Sequence, residues 1–246
     1  MCIRDRSNRS ASGVHPDQHN IFILNDSPTN EQFRLLVAND GGIYVSNRSR
    51  DPGVQNRSWS YASLGNNTTQ FYSADKAPGA DRYIGGMQDN GTWFTPSSAG
   101  TSAATAYRFA LGGDGFEAIW NNRDANLLIA GSQFNNFSRS INGGGAWRNA
   151  TAGIDDQGPF WSQLENSKMS PDRVFTVGSS GVWRSDNFGE SWEPTRINDD
   201  RWSFTNFMSV EVSIADPDVI WAGGALAEDR RIFLSLIHIS EPTRPY

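Results

Sequence analysis

The chain is short of several things that most proteins of 246 residues have. It holds one cysteine, three histidines and only 20% charged residues, and no apolar run reaches 18 residues. Without such a run, no helical segment spans a bilayer. The formal charge is −6, so the positive footprint of a nucleic-acid binder is missing. Ala, Leu, Glu and Lys do not dominate, which argues against a helical bundle and a coiled coil. What the chain does have is 24 glycines and 12% aromatic residues, with nine tryptophans. That mixture suits many short strands joined by tight turns.

The two ends are unlike the rest. Met1-Cys2-Ile3-Arg4-Asp5-Arg6 and the stretch from Ser235 to Tyr246 resemble translated sequencing-adapter read-through. Such scars are set aside before the fold is read, which leaves residues 7–234 as the protein's own sequence and both natural termini outside it. Cys2 and His238 go with the ends. Residues 7–234 then hold no thiol, so disulfides, cysteine nucleophiles and thiolate metal ligands are excluded there.

A repeat of about 46 residues runs through the remainder. Each copy has a β-rich run, an Asp/Asn/Pro turn, a second β run ending in small residues, and then a short run with an aromatic. The aromatics or their equivalents sit at Tyr44, Trp93, Phe137, Trp183 and Phe233, in steps of 49, 44, 46 and 50 residues. Four antiparallel strands of five or six residues with tight turns occupy this length, which is the size of one propeller blade. An immunoglobulin-like sandwich shows no such four-strand super-period. The expectation is an all-β chain, a β-propeller of four-stranded antiparallel blades. About five blades are present, over roughly 13–60, 61–110, 111–155, 156–200 and 201–234.

Two copies carry a sharper signature. Ser140-Ile141-Asn142-Gly143-Gly144-Gly145-Ala146-Trp147 and Ser185-Asp186-Asn187-Phe188-Gly189-Glu190-Ser191-Trp192 both read Ser-x-Asn-x-Gly-x-small-Trp, 45 residues apart. The Asn side chain bonds nearby N–H groups, the Gly takes a positive φ, and the Trp packs between sheets. The pattern resembles the Asp-box (BNR) motif, with Asn where Asp is commoner. The chain as a whole resembles sortilin-type and xyloglucanase-like secreted bacterial propellers. Supporting strings are His15-Pro16-Asp17-Gln18-His19, Asn39-Asp40-Gly41-Gly42, Gly86-Met87-Gln88-Asp89-Asn90-Gly91 and Gly112-Gly113-Asp114-Gly115. Those families have more than five blades, so the resemblance implies an incomplete arc of a larger ring, secreted or at the cell surface.

If each blade runs from innermost strand to outermost, the loops between blades share one face with the turns between second and third strands. The Asp-box turns, between third and fourth strands, fall on the other face and read as structural. The front face collects His15, Asp17, His19, Asp40, Gln88, Asp89, Asp114, Trp161 and Trp202, together with Asp199, Asp200 and Arg201. Carboxylates, amides and indoles on one mouth suit a carbohydrate, whose hydroxyls meet acids and whose C–H faces stack on rings. Asp-Gly and Asn-Gly pairs are also ordinary turn chemistry, so Asp40, Asp89 and Asp114 equally read as turn builders. A glycosidase needs two carboxylates about 5–5.5 Å or 6.5–9.5 Å apart, and Asp17 with Asp114 is the pair the sequence offers.

His15-x-Asp17-x-His19 places three donors on one side of an extended strand, as a metal site would. Spacing identifies no fourth ligand, so a hydrogen-bonded cluster pinning the strand is preferred, and no metal or cofactor is assigned. The Arg-Ile-Pro string of sialidases is missing, and no Gly-x-Ser-x-Gly elbow accompanies the two histidines. The reading is a propeller fragment that binds polysaccharide or an extracellular protein through its front face. A xyloglucanase-like hydrolase and a passive scaffold are the alternatives.

Overall fold

The computed structural model describes residues 14–27, 31–54, 57–63, 69–96, 101–102, 105–196, 202–224 and 233–236. Asp199, Asp200, Arg201 and residues 1–6 and 237–246 lie outside them. The chain divides into two units, Met1–Thr69 and Gln70–Tyr246. Among the described residues there is no α-helix, only a short 3-10 turn at Gln133–Asn135.

The first unit is one antiparallel sheet in the order β1 (Gln18–Ser27), β2 (Gln32–Asn39), β3 (Gly42–Ser46) and β4 (Trp59–Tyr61). Its β2–β3 turn is Asn39-Asp40-Gly41-Gly42, tightened by the Gly41 amide donating to the Asn39 side chain at 3.0 Å. Gly42 has φ +117, and a Cβ there would meet the Tyr61 ring at 2.8 Å.

The second unit holds four sheets in sequence. They are β5 (Phe71–Lys76), β6 (Tyr83–Met87), β7 (Gly91–Phe94) and β8 (Arg108–Leu111); then β9 (Ala118–Trp120), β10 (Leu128–Ser132), β11 (Asn136–Ser140) and β12 (Arg148–Asn149). Next come β13 (Glu165–Asn166), β14 (Val174–Gly178), β15 (Gly181–Ser185) and β16 (Glu193–Arg196), and finally β17 (Met208–Val212), β18 (Val219–Gly224) and β19 (Phe233–Leu236). Every pairing between these strands is antiparallel and joins neighbours in sequence, and one isolated parallel bridge links Trp161 to Phe207. All five repeat aromatics fall on third strands.

The sheets of the second unit stack face to face. Ala77, Ile84 and Phe94 of one meet Ala118, Trp120, Leu128 and Ala130 of the next. Ile119, Ile129 and Phe137 then meet Leu164, Val174 and Trp183, and Phe175, Val177 and Val182 meet Met208, Val210 and Ile220. This explains why β10 and β14 read Leu-Ile-Ala-Gly-Ser and Val-Phe-Thr-Val-Gly instead of alternating. Both faces of those strands are covered, and all ten residues are buried. A succession of such sheets, each entering by its first strand and leaving by its last, is β-propeller architecture.

The two Ser-x-Asn turns repeat one hydrogen-bond pattern. Ser140 Oγ accepts from the Gly144 amide at 2.9 Å and Asn142 Oδ1 accepts from the Ala146 amide at 2.8 Å. In the second turn Ser185 Oγ accepts from Gly189 at 2.8 Å and Asn187 Oδ1 from Ser191 at 2.9 Å. Both serines are buried, and both hydroxyls donate to their Asn side chain at 2.9 Å. Gly144 and Gly189 have φ of +91 and +78, and each lies against the preceding sheet, where a Cβ would strike Phe94 or Ile129. Trp192 then enters the seam, stacking on Phe137 at 5.7 Å and donating its indole N–H to the Ala150 carbonyl. Trp147 makes the equivalent, less buried contact with Phe94. The turns thus fasten each sheet to the one before it.

Removing either serine hydroxyl strands buried amides, so Ser140→Ala and Ser185→Ala each lower stability by about 1–3 kcal/mol. The turns share no partner, so the double variant loses the sum within about 0.5 kcal/mol. Urea midpoints at constant slope measure this. A clearly sub-additive double variant would show that the two seams do not act independently.

Candidate functional site

In the second unit, the loops entering each inner strand bring an aromatic side chain to a common point. Tyr72 stands on β5, Phe116 precedes β9, Trp161 precedes β13, and Phe207 precedes β17. Ring centroids are 4.9 Å for Tyr72–Phe116, 4.6 Å for Tyr72–Trp161, 5.8 Å for Phe116–Trp161 and 6.2 Å for Trp161–Phe207. Tyr72 and Trp161 belong to sheets two apart, so the inner strands converge on one axis. Phe160 and Phe134 extend the cluster at 5.5 and 5.6 Å. Phe116 is 1% exposed, whereas Phe207 and Phe134 are 61% and 54% exposed. The patch is a platform with a buried base and an open surface. Phe134 is presented by a turn in which it and Asn135 both hold positive φ, 61 and 57. Asn135 is locked there by bonds to Ser162 and the Val177 carbonyl. Two adjacent non-glycine residues in this region mark a turn over-determined by its surroundings.

Polar groups flank the platform. Asp114 Oδ1 accepts from the Asp89 amide at 2.8 Å and Oδ2 from the Gln133 side chain at 2.6 Å. Its carboxylate therefore joins a loop between sheets to the β6–β7 and β10–β11 turns. Asp89 has φ +58, and Gln88 closes the same turn by donating its amide to the Gln70 carbonyl. Burial, and then the negative charges of Asp114 and Asp89, raise the Tyr72 hydroxyl's pKa, so all three share one field. Asp156 does for the β14–β15 turn what Asp114 does for the others. It accepts from Ser180 N and Oγ, Ser179 Oγ and the Trp183 indole.

A second set lies on or immediately before the inner strands. Asp75, Glu117, Glu165 and Glu211 come one from each of four consecutive sheets. Asp75 reaches across and accepts the Trp120 amide at 2.7 Å, while Ser73 beside it bonds the Phe116 carbonyl and the Ala118 amide. These two side chains satisfy the open edge of the next inner strand. Glu117 and Glu165 are half-buried. Burial first, then the charges of Glu165, Glu211 and Asp75, push Glu117 from 4.5 up to about 8. Burial and the charges of Glu211 and Asp75 push Glu165 up to about 7, with Lys168 opposing. Glu117 is a proton-bearing acid at neutral pH, so it donates as well as accepts hydrogen bonds.

In the first unit, His15, Asp17 and Asp40 place one ligand atom each within 4.8 Å of one another. His15 Nδ1 is 3.7 Å from Asp17 Oδ2, and His19 Nε2 contacts Asp40 Oδ1. The structure thus adds Asp40, from the β2–β3 turn, to His15 and Asp17, while His19 touches Asp40 from outside that three-residue group.

The sequence-derived candidates are distributed accordingly. His15, Asp17, His19 and Asp40 form the first-unit cluster. Gln88, Asp89, Asp114 and Trp161 flank or build the platform. Trp202 is half-buried against the Phe175–Met208 core between the last two sheets. Ser140, Asn142, Gly144, Trp147, Ser185, Asn187, Gly189 and Trp192 build the two seam turns. Sequence reasoning missed Tyr72, Phe116 and Phe207, although with Trp161 they recur at steps of 44, 45 and 46 residues. It also missed the four inner-strand acids.

No family model and no curated protein sequence matches the chain. Among solved structures it is similar to an ancestral GH74 enzyme, at 14% identity and a TM-score of 0.47 over 89% of this chain and 29% of that one. It is also similar to the GH74 xyloglucanase from Xanthomonas campestris, at 16% and 0.49 over 82% and 28%. A third is YCF48 bound to D1 peptide, at 13% and 0.47 over 90% and 69%. The chain spans less than a third of the length of the two GH74 structures.

The inner-strand acids link protonation to folding. Their folded pKa values lie above the ordinary 4.5, so the folded state holds more protons than the unfolded state between about pH 5 and 8. Their contribution therefore weakens stability as pH rises through that window. In melting temperatures followed from pH 5 to 8, Glu117→Gln flattens the decline relative to the unaltered chain. An unchanged slope would show that Glu117 ionises normally.

Proposed function

We propose that the chain is part of a larger, secreted Asp-box propeller that binds a glycan through the front face of its second unit. The aromatic platform carries this reading. Four rings from four successive strand entries are in contact, and exposed Phe207 and Phe134 offer flat apolar faces to the C–H surface of a sugar. Asp114, Asp89 and Gln133 stand beside them, and Glu117, next to Phe116 in the chain, adds a protonated carboxyl as donor. Hydroxyl-rich ligands need this combination of stacking faces and mixed donors and acceptors. The placement outside the cell or on its surface rests on the resemblance of the two seam turns to Asp-box proteins.

A second reading, xyloglucanase-like hydrolysis, is favoured by one observation. Glu117 and Glu165 carry raised pKa values, as a general acid near neutral pH requires. Both oxygens of Asp114 already accept hydrogen bonds, so Glu117 is the better acid of the two.

Affinity electrophoresis of the full chain in gels of xyloglucan and other soluble polysaccharides tests both. Retardation by at least one polysaccharide, reduced about tenfold in affinity by Phe207→Ala, is expected. Retardation unaffected by Phe207→Ala and Phe134→Ala, or none with any polysaccharide, would overturn the glycan reading. Release of new reducing ends, abolished by Glu117→Gln, would establish the hydrolase.

A further inference from the structure

We propose that His15, Asp17, His19 and Asp40 bind a divalent transition-metal ion, with zinc the best chemical match. Two imidazoles and two carboxylates make a mixed nitrogen and oxygen set. Calcium and magnesium take all-oxygen shells, whereas zinc accepts this set in a tetrahedron. His15 and Asp17 precede β1 and flank a bend at Pro16, while His19 lies on β1 itself. The Asp17 amide donates to His15 Nδ1 at 3.3 Å and the Gln18 side chain donates to the His15 carbonyl, so a turn and not strand alternation brings His15 to Asp17. Asp40 arrives from the adjoining hairpin, because Gln18 on β1 is paired with Asn39 on β2.

The hairpin is shaped to let these donors meet. A Cβ on Gly41 would lie 2.9 Å from the His15 Cβ, so glycine permits the imidazole to sit over the turn. The turn is held by Asn39, whose side chain accepts from the Gly41 amide and donates to Gln18 Oε1 at 3.4 Å. Bonds of about 2.0 Å from a tetrahedral zinc place neighbouring donors about 3.3 Å apart. His15 Nδ1 and Asp17 Oδ2 stand at 3.7 Å, and the wider 4.8 Å limit on the three-residue group closes by side-chain rotation. His19 Nε2 contacts Asp40 Oδ1 but stands outside that three-residue group, and joins it when its exposed ring turns from Asp40 towards the ion. The Asp17 and His19 side chains are 65% and 63% exposed, so an ion reaches them without opening the fold. The site lies in the first unit and is independent of the platform in the second.

Isothermal titration of the metal-free full chain with zinc chloride, with calcium and magnesium as comparisons, tests the proposal. One zinc per chain is expected, with no binding of calcium or magnesium at the same concentration. Asp17→Asn and His19→Gln each weaken zinc by about tenfold or more, while His238→Gln leaves it unchanged. Cobalt gives the visible absorption of a four-coordinate ion, and Asp17→Asn reduces it. Asp17 is mostly exposed, so its variant keeps the test valid if changes at Asp40 disturb the hairpin, and circular dichroism checks folding. No zinc uptake, or uptake insensitive to Asp17→Asn and His19→Gln, would show that the four side chains are only a hydrogen-bonded cluster.

Discussion

The packing of one sheet's face on the next is the constraint from which the rest of the second unit follows. A four-stranded sheet of this length cannot bury enough apolar surface alone, so each is stable only between neighbours. Covering both faces forces the second strands to be apolar throughout. It also makes the seam, not the sheet, the unit of the core. Trp192 belongs by sequence to the fourth repeat but spends its indole on Phe137 and the Ala150 carbonyl of the third. Arg82 does the same between the second and third repeats. It donates to the Gly143 carbonyl at 3.0 Å and lies over the Trp120 ring at 5.0 Å.

Stacking of this kind leaves each inner strand with an open edge at the axis. The edge must be satisfied, because an unpaired buried amide costs as much as a lost hydrogen bond. Ser73 and Asp75 do this between the first two sheets of the second unit. The later inner strands carry acids at neighbouring positions without that duty. Glu165 is opposite Phe175 and Glu211 opposite Trp221, as Asp75 is opposite Ile84. Convergence of the strands therefore gathers negative charge in a half-buried place. Burial first, and then this charge, raise two of the carboxyls, Glu117 to about 8 and Glu165 to about 7.

The architecture was legible because a repeat near 46 residues, with aromatics on third strands, has few folds that fit it. The two Ser-x-Asn turns were legible for a local reason, since every bond that defines them lies within eight residues. The platform was not read, because Tyr72, Phe116, Trp161 and Phe207 look like isolated core aromatics until the strand entries are superposed. The inner acids carry even less signal. An Asp or Glu on a short strand is unremarkable in sequence, and its pKa depends on burial and on carboxyls 42 to 94 residues away. His15, Asp17 and His19 are recognisable as a set by their alternation, whereas Asp40 reads both as a front-face binding residue and as a turn builder, with nothing in the spacing to join it to them. It does build the turn, and that turn is what brings it to them.

The platform and the acids also constrain each other. Phe116 and Glu117 are adjacent residues ahead of β9, so ring and carboxyl share one strand entry, and burial is the largest cause of the Glu117 shift. A cationic ligand entering the axis would draw the proton from Glu117 and bind a carboxylate. A neutral polyol would leave the proton in place and use the O–H as a donor. The aromatic surface favours the second case, since Phe207 and Phe134 expose apolar faces with no charge of their own. The carboxyls nearest Tyr72, Asp114 and Asp89, are tied to turn amides or share their field. The second unit thus holds fixed acceptors beside the rings and a carboxyl that keeps its proton near neutral pH, a combination suited to hydroxyl groups.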